Sequence, residues 1–451
     1  MERRLIETAQ SVIIAADVPD LEALRELVKS TCDIKGIGGY KVGLELVIPN
    51  GLRAVVSAIK EYSDLPIIYD HQKGGTDIPE LGEKFAKSVK LSGVNAVILF
   101  PFGGAATEEE WIKTCQKEGL VVLVGGHMTQ KKFLASEEGF IADSAPEKIY
   151  SIAAKNGVRD FVVPGNKVEF VQKYRELLEN LLGQGNFVLY APGFIAQGGD
   201  ISETGKVAGE NWHPIVGSAI YKAENKREAA KKITEKIEKA RIERRSLEIF
   251  AQNKAIITGS HIVYTSKRHG SDYVNKDAIY PNTKATDELC GFIAEHFKDA
   301  KVEVVVAPAV GGVILSHETA GRLTELTGQE VLGIYADKEG DTLVFKRGYG
   351  EFIKGKRVLV VDDVLTTGGS VAKLVELVRS LDGEVVAVAV LCNRGGVKVE
   401  DIGNVPELFA LVNVQMADFE ESECPFCKAS IPINIEVGKG KAYLAEKAKV
   451  A

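Results

Sequence analysis

Short apolar runs recur along the first half of the chain at near-regular intervals. They are "SVIIAAD", "GGYKVGL", "LPIIYD", "NAVILFP", "LVVLVGG", "DFVVPG", "NFVLYAPG" and "HPIVGSAI". Between them lie polar stretches with helical spacing, such as "DLEALRELVKS" and "VEFVQKYRELLENLL". A continuous apolar run has no polar alternation, so each strand is expected to be covered on both faces, as in a parallel sheet. Eight such strand–helix units in about 220 residues predict a (β/α)8 TIM barrel. In that architecture the chemistry belongs at the carboxyl ends of the strands. Asp17, Lys41, Asp70, Thr129, Pro192, Gly193, Gly217 and Ser218 all fall there.

After the eighth run, Lys222 to Phe250 mixes charges and contains neither Gly nor Pro. It predicts a solvated helix that closes the barrel and leads into a second domain. The runs "VEVVVAPAVGG", "VLGIYAD", "TLVFKRG", "KRVLVVDDVLTTGGSV", "EVVAVAVLCNRGG" and "LFALVNV" then predict an open α/β sheet. The expected division is 1–240 for the barrel and 241–451 for the second domain, in keeping with a 451-residue chain.

Composition narrows the class. At 45% hydrophobic and 26% charged, this is an ordinary globular chain. A net charge of −7 argues against wholesale nucleic-acid binding. No apolar run reaches the length of a membrane span, and "MERRLIETAQ" lacks a signal-peptide core. The six cysteines are mostly scattered singly, which points to a reducing cytoplasm.

The stretch "VLVVDDVLTTGGSV", Val358 to Val371, reads as a buried strand, two acids, a hydroxyl and glycine loop, and a helix start. Glycines let backbone N–H groups approach an anion, and a helix N-terminus adds partial positive charge. Thr366, Thr367 and Ser370 offer hydroxyls, and Gly368 and Gly369 offer backbone. Asp362 and Asp363 would repel a phosphate, so they fit ribose hydroxyls, held directly or through Mg²⁺. The Gly-Lys-[Ser/Thr] ending of a Walker loop is absent. This stretch resembles the phosphoribosyl pyrophosphate (PRPP) signature of type I phosphoribosyltransferases. "GSHIVYTSKRHGSDYVNKDAIYP" resembles the segment with which orotate phosphoribosyltransferases grip orotate and pyrophosphate. Thr265, Ser266, Lys267, Arg268, Ser271, Tyr273 and Lys276 carry that likeness. The "APAVGG" turn, Ala309 to Gly312, resembles the family's pyrophosphate loop, and Arg394 in "CNRGG" joins the implied PRPP set. Where other members carry a Lys-x-His-Gly loop, this chain has Lys338, Lys346 and Arg347 and no histidine.

The first half resembles orotidine 5′-monophosphate (OMP) decarboxylases. Their Lys-Asp-Lys-Asp array maps onto Lys41, Asp70, Lys73 and Asp77, the last three stretched to D-x-x-K-x-x-x-D. "YAPGFIAQGGD" resembles the family's phosphate loop, with Gln197, Gly198 and Pro192 as implied contacts. Asp17 falls where an acid holds ribose and Thr129 where a hydroxyl reads the pyrimidine. The family's phosphate-binding arginine, expected directly after Gly217, is Ser218 here. By resemblance, decarboxylation needs no cofactor, and the chain forms a dimer in which Asp77 serves the neighbouring subunit.

The two likenesses together imply the last two steps of UMP synthesis. Orotate and PRPP would give OMP with Mg²⁺, and OMP would then lose CO₂. Two alternatives stay open: one domain degenerate, or the phosphoribosyltransferase domain serving as a PRPP or nucleotide sensor. A hexulose-phosphate synthase-like barrel is disfavoured by the Gln197 loop and the orotate-type neighbour. Cys424 and Cys427 form a lone CxxC. They read as structural thiols rather than a zinc site or disulfide, with Cys392 as a third ligand if metal binds and no fourth in view.

Overall fold

The computed structural model describes residues 4–71, 74–194, 198–264, 266–414, 416 and 418–450. The expected site residues Lys73, Gln197 and Thr265 lie outside them. The chain divides into two compact units, Met1–Arg241 and Ile242–Ala451.

In the first unit, eight parallel strands close into a barrel, paired in chain order, with the eighth returning to the first. They are β1 Val12–Ala15, β2 Ile37–Val42, β3 Ile67–Asp70, β4 Ala96–Leu99, β5 Val121–Gly125, β6 Asp160–Val162, β7 Val188–Pro192 and β8 Trp212–Val216. All eight predicted runs are strands. The two-residue strand period sorts their side chains into two cores. Val12, Ile14, Tyr40, Val42, Val97 and Leu99 face the outer helices. Ile13, Ala15, Ile68, Ile98, Leu123 and Ile215 fill the barrel. Lys41 lies in register with Ala15 and Ile68. Asp70 follows Ile68, and Asp17 follows Ala15, by one strand period. The same alternation that buries apolar side chains therefore turns these three charges inward at the barrel mouth.

The charged helix spans Lys226–Gln252. Ala230, Ile233 and Ile237 belong to the barrel's outer core, whereas Ile242, Ile249 and Phe250 belong to a core of the second unit.

The second unit is built on a six-stranded sheet ordered β15-β14-β13-β16-β17-β18. Its strands are β13 Val304–Pro308, β14 Leu332–Glu339, β15 Thr342–Val344, β16 Arg357–Leu365, β17 Glu384–Asn393 and β18 Leu408–Asn413. These six correspond to the predicted runs. All neighbours are parallel except the β14–β15 hairpin. Val305, Ala307, Leu359 and Val361 face one apolar layer, and Val304, Val306, Val358 and Val360 face the other. Covering on both faces explains why these runs are continuous. Five two-residue strands escaped the sequence reading: β9 Ile256–Ile257, β10 Ile262–Val263, β11 His269–Gly270, β12 Tyr273–Val274 and β19 Asp418–Phe419. They are too short to show a period. β10, β11 and β19 form a small antiparallel sheet, and β9 pairs with β12.

Candidate active sites

The barrel mouth holds a cavity of about 520 Å³ lined by Asp17, Lys41, Asp70, Thr129, Pro192, Gly217 and Ser218 among others. With Gly193, all eight of the positions predicted at the strand ends thus meet in one space. Lys41 is its electrostatic centre. The ammonium lies 3.2 Å from Asp70 Oδ2 and 3.5 Å from Asp17 Oδ1. Burial pulls its pKa down, but the charges of Asp70 and Asp17 outweigh that and leave it above the ordinary lysine value. The charged form is therefore held in place by the two carboxylates, which is the preorganisation that charge-stabilising catalysis needs. The rest of the wall is largely apolar, with Ile98, Phe100, Met128, Val162 and Ile215.

Beyond β3 the chain turns back on β4. The Phe100 amide donates to Gly74 O at 2.7 Å, and Thr76 Oγ1 donates to Phe100 O at 3.1 Å. Gly75 has φ of +85°, a conformation glycine adopts freely. Gly74 to Thr76, within the stretched motif, thus form a pinned turn. Asp77 follows it, is exposed, and does not line the cavity. Its Oδ1 accepts from the Ile78 amide at 2.7 Å. His71 Nδ1 lies 2.5 Å from Tyr69 Oη, a local hydrogen bond.

At the phosphate end, the Gly199 amide donates to Gly193 O at 3.2 Å, closing the loop that starts at Pro192. Gly193 has φ of +105°, and a Cβ there would sit 2.9 Å from Thr129 Cγ2. Glycine therefore leaves room for the Thr129 side chain in the wall. Gly198, with φ of +85°, lies in the same loop. Ser218 opens the short helix Ser218–Tyr221. Lys222 is exposed and stands 5.9 Å from the Tyr221 ring.

A feature the sequence reading missed starts at His127 in the cavity wall. Lys167 Nζ is 2.9 Å from both His127 Nε2 and Glu137 Oε1, and His127 Nδ1 is 2.8 Å from Tyr174 Oη. Burial, then the Lys167 charge, pushes His127 down to about 4, so its imidazole is neutral at pH 7. The three partners are distant in sequence, and no local pattern announces them.

In the second unit, β16 ends in Asp362 and Asp363 and the helix Gly369–Ser380 follows. Strand alternation turns the acids apart. Asp363 pairs with Lys276, while Asp362 Oδ1 accepts from the Asp363 amide at 2.9 Å. Burial raises both carboxyls, the Asp363 charge adds to the rise at Asp362, and Lys276 opposes it at Asp363. Gly311 lies against the Asp363–Lys276 pair so closely that any Cβ would strike both. The Ala309 amide donates to Ala336 O at 2.8 Å, so Val310 to Gly312 is the part of that turn left to meet an anion. Thr366 and Thr367 are exposed in the loop, followed by Gly368, Gly369 and Ser370. Arg394 Nη2 donates to Thr366 Oγ1 at 3.3 Å, and its guanidinium lies 4.3 Å from the Tyr264 ring.

Four predicted cations are paired elsewhere. Lys267 Nζ is 2.8 Å from Glu446, and Arg268 engages Asp418 and Glu420. Lys346 is 2.8 Å from Glu339, and Arg347 meets Tyr335 Oη. All four pairs are substantially exposed, so each holds weakly. Cys424 and Cys427 do come together, with His261 and His269, while Cys392 is not in that group. None of the six cysteines is in a disulfide. Among the described residues no helix is long and apolar enough to cross a membrane.

A barrel with a buried Lys–Asp cluster, followed by a parallel sheet ending in paired acids and a Thr-Thr-Gly-Gly loop, defines a two-domain enzyme class: a decarboxylase-type barrel with a phosphoribosyltransferase. Residues 10–233 match the family model "Orotidine 5'-phosphate decarboxylase / HUMPS family", and 275–423 match "Phosphoribosyl transferase domain". The orotate phosphoribosyltransferase of Caldanaerobacter subterraneus subsp. tengcongensis is 38% identical over 187 residues, which are 42% of this chain and 93% of that protein. A solved orotidine 5'-monophosphate decarboxylase from Methanocaldococcus jannaschii, complexed with inhibitor BMP, is 27% identical with a TM-score of 0.44, covering 51% of this chain and 98% of that one. The Leishmania donovani UMP synthase structure is 17% identical with a TM-score of 0.43, over 97% of each chain. The chain belongs to the orotidine 5'-phosphate decarboxylase / HUMPS family in its first unit and to the orotate phosphoribosyltransferase family in its second.

Proposed function

We infer that this chain is a bifunctional enzyme of de novo UMP synthesis. Its second unit joins orotate to PRPP, giving OMP and pyrophosphate, and its first unit decarboxylates OMP to UMP. The observation that carries the reading is the enclosed Lys41 held between Asp17 and Asp70 in the mouth of the barrel.

In the first unit, the C6–CO₂ bond breaks and its electron pair stays on C6, where the ring offers no ordinary electron sink. Asp70 is placed to face the substrate carboxylate. Two like charges ~4 Å apart cost about 4 kcal/mol at an effective dielectric near 20, a strain that ends as neutral CO₂ leaves. Lys41 keeps Asp70 ionised and in place. Lys73 is assigned to stabilise the carbanion and return a proton to C6. Thr129 reads the pyrimidine edge, and Asp17 the ribose. Pro192, Gln197, Gly198, Gly217 and Ser218 frame the phosphate, whose remote binding lowers the barrier at C6.

In the second unit, Thr366, Thr367 and the Gly368 to Ser370 helix start receive the 5-phosphate, and Val310 to Gly312 faces the pyrophosphate. Lys276 holds Asp363 in position, and Arg394 steadies the loop through Thr366. Lys267, Arg268, Lys346 and Arg347 are assigned to orotate and pyrophosphate, which requires them to leave their exposed acid and tyrosine partners. Asp362 and Asp363 are buried oxygen donors, the ligand type that suits Mg²⁺, and either would hold such an ion together with the oxygens of PRPP. The chemistry such an ion supplies with PRPP is neutralisation of the leaving pyrophosphate's charge.

The test gives the purified chain orotate, PRPP and Mg²⁺ and follows OMP and UMP. Sequential appearance of both is expected. Accumulation of OMP would mean an inert barrel, and turnover of a different base would overturn the orotate assignment.

A further inference from the structure

Outside both active sites, four soft or borderline donor atoms converge in the second unit. His261 immediately precedes β10, His269 opens β11, and Cys424 and Cys427 flank the start of the helix Pro425–Lys428. Their ligand atoms all lie within 4.8 Å of one another, and three of the four residues are buried. The separations are 2.9 Å for His261 Nε2 to His269 Nδ1 and 3.3 Å for Cys427 Sγ to His269 Nδ1. Cys427 Sγ and Cys424 Sγ lie 3.5 and 3.6 Å from His261 Nε2. A tetrahedral ion with ~2.0–2.1 Å bonds to nitrogen and ~2.3 Å bonds to sulfur has ligand–ligand edges of about 3.3 to 3.8 Å. The three sulfur–nitrogen separations given fall in that range, the two nitrogens stand a few tenths of an ångström closer, and the remaining two edges, both from Cys424 Sγ, are within 4.8 Å.

Orientation supports the same conclusion. His261 Nδ1 is 2.7 Å from Ile431 O, a carbonyl that can only accept, so this nitrogen carries the proton. His261 Nε2 therefore presents a lone pair to the group. A backbone carbonyl fixing one ring nitrogen while the other faces inward is the usual support for a metal-bound histidine. The Phe426 ring stacks on His261 and the Tyr443 ring stands edge-on to His269, shielding the group from water.

We propose that His261, His269, Cys424 and Cys427 bind a structural zinc ion. Two imidazoles and two thiolates in a closed tetrahedron select Zn²⁺ over the hard, oxygen-preferring Mg²⁺ of the PRPP chemistry. On binding, the two thiols release their protons to solvent and no electron is transferred. The ion ties the β10–β11 hairpin to the C-terminal segment more than 150 residues away in sequence. That hairpin carries Lys267, Arg268 and Tyr264, and the Tyr264 ring underlies Arg394, which in turn donates to Thr366 of the phosphate loop. The zinc ion is thus a positioning element for the phosphoribosyltransferase site and takes no part in its chemistry.

The test uses the full chain. Elemental analysis after dialysis should find about one zinc per chain, and Co²⁺ replacement should give the intense visible bands of a tetrahedral thiolate site. On the unaltered protein, Cys424 and Cys427 should resist alkylation until a chelator is added. The Cys424→Ser, Cys427→Ser double variant should lose the zinc and the cobalt bands, and its OMP formation should fall about tenfold or more. Decarboxylation of supplied OMP by that variant should be unchanged, which controls for global unfolding. Absence of stoichiometric zinc with no cobalt spectrum, retention of zinc by the double variant, or recovery of Cys424 and Cys427 as a disulfide would each overturn the proposal.

Discussion

At the scale of single residues, Lys41 is a buried charge held between two carboxylates. Replacing it with alanine removes the ammonium that lies 3.5 Å from Asp17 and 3.2 Å from Asp70, and takes its charge from two carboxylates in a mostly apolar mouth. Breaking a buried pair in this way costs ~3–5 kcal/mol, and the low end applies because Asp17 keeps about a third of its side-chain exposure. Lys41→Ala is therefore expected to slow decarboxylation of OMP by about 10²–10³, the usual loss of a preorganised charge, and to lower the barrel's melting temperature. The Lys41→Ala, Asp70→Ala double variant should regain part of the stability and none of the activity. Recovery of activity in the double variant would contradict the role assigned to Lys41.

A second residue-scale prediction concerns Asp160, at the amino end of β6 and away from the catalytic mouth. Tyr190 Oη donates to its carboxylate at 3.0 Å, yet burial pushes the carboxyl up to about 6. The folded state thus holds a proton more tightly than the unfolded chain, whose aspartate titrates near ~3.9. That contribution to stability is complete below about pH 4 and is lost as pH rises through about 6. Its size is at most about 3 kcal/mol. Asp160→Asn should remove this part of the pH dependence. Denaturant titrations at several pH values should show the parent losing stability relative to the variant from pH 4 to pH 7. A constant difference would refute the assignment.

At the scale of elements, Gly311 tests the phosphoribosyltransferase site. The turn before the helix Gly312–Thr327 packs its backbone on the Asp363–Lys276 pair, leaving no room for a Cβ. Gly311→Ala should displace that pair and cut OMP formation by about tenfold or more, while decarboxylation of supplied OMP continues unchanged. A variant with normal OMP formation would show that the turn yields without disturbing Asp363. The elements also mark how far the sequence is legible. The eight barrel runs and six sheet runs are readable because burial on both faces imposes an apolar pattern on each strand by itself. Asp362, Asp363 and Thr366 are readable because their spacing is local to one strand–loop–helix. Two-residue strands carry no period, and so the β10–β11–β19 sheet is invisible in the sequence. The pairing of His261 and His269 with Cys424 and Cys427 depends on that sheet, so a lone CxxC is all the sequence displays. The acid partners of Lys267 and Arg268 were hidden for the same reason.

At the scale of the whole molecule, Asp77 raises the question of how many chains complete a decarboxylation site. It follows the turn that Gly74 and Thr76 pin to the end of β4, its side chain is exposed, and it stands outside the cavity that holds Lys41 and Asp70. We propose that it completes the cavity of a second copy in a twofold dimer, where each copy presents the same surface to the other. The proposal makes a quantitative forecast. Lys41→Ala and Asp77→Ala chains should each be nearly inactive alone. When equal amounts are mixed and exchange subunits, half of the dimers contain one of each. In such a dimer, one site combines the intact Lys41 of one chain with the intact Asp77 of the other, and the second site lacks both. Half the dimers with half their sites restored gives about a quarter of parental decarboxylation. Measuring UMP formation from OMP before and after exchange reads this directly. No recovery from a mixture shown to contain mixed dimers would place Asp77 in its own chain's site or remove it from the chemistry.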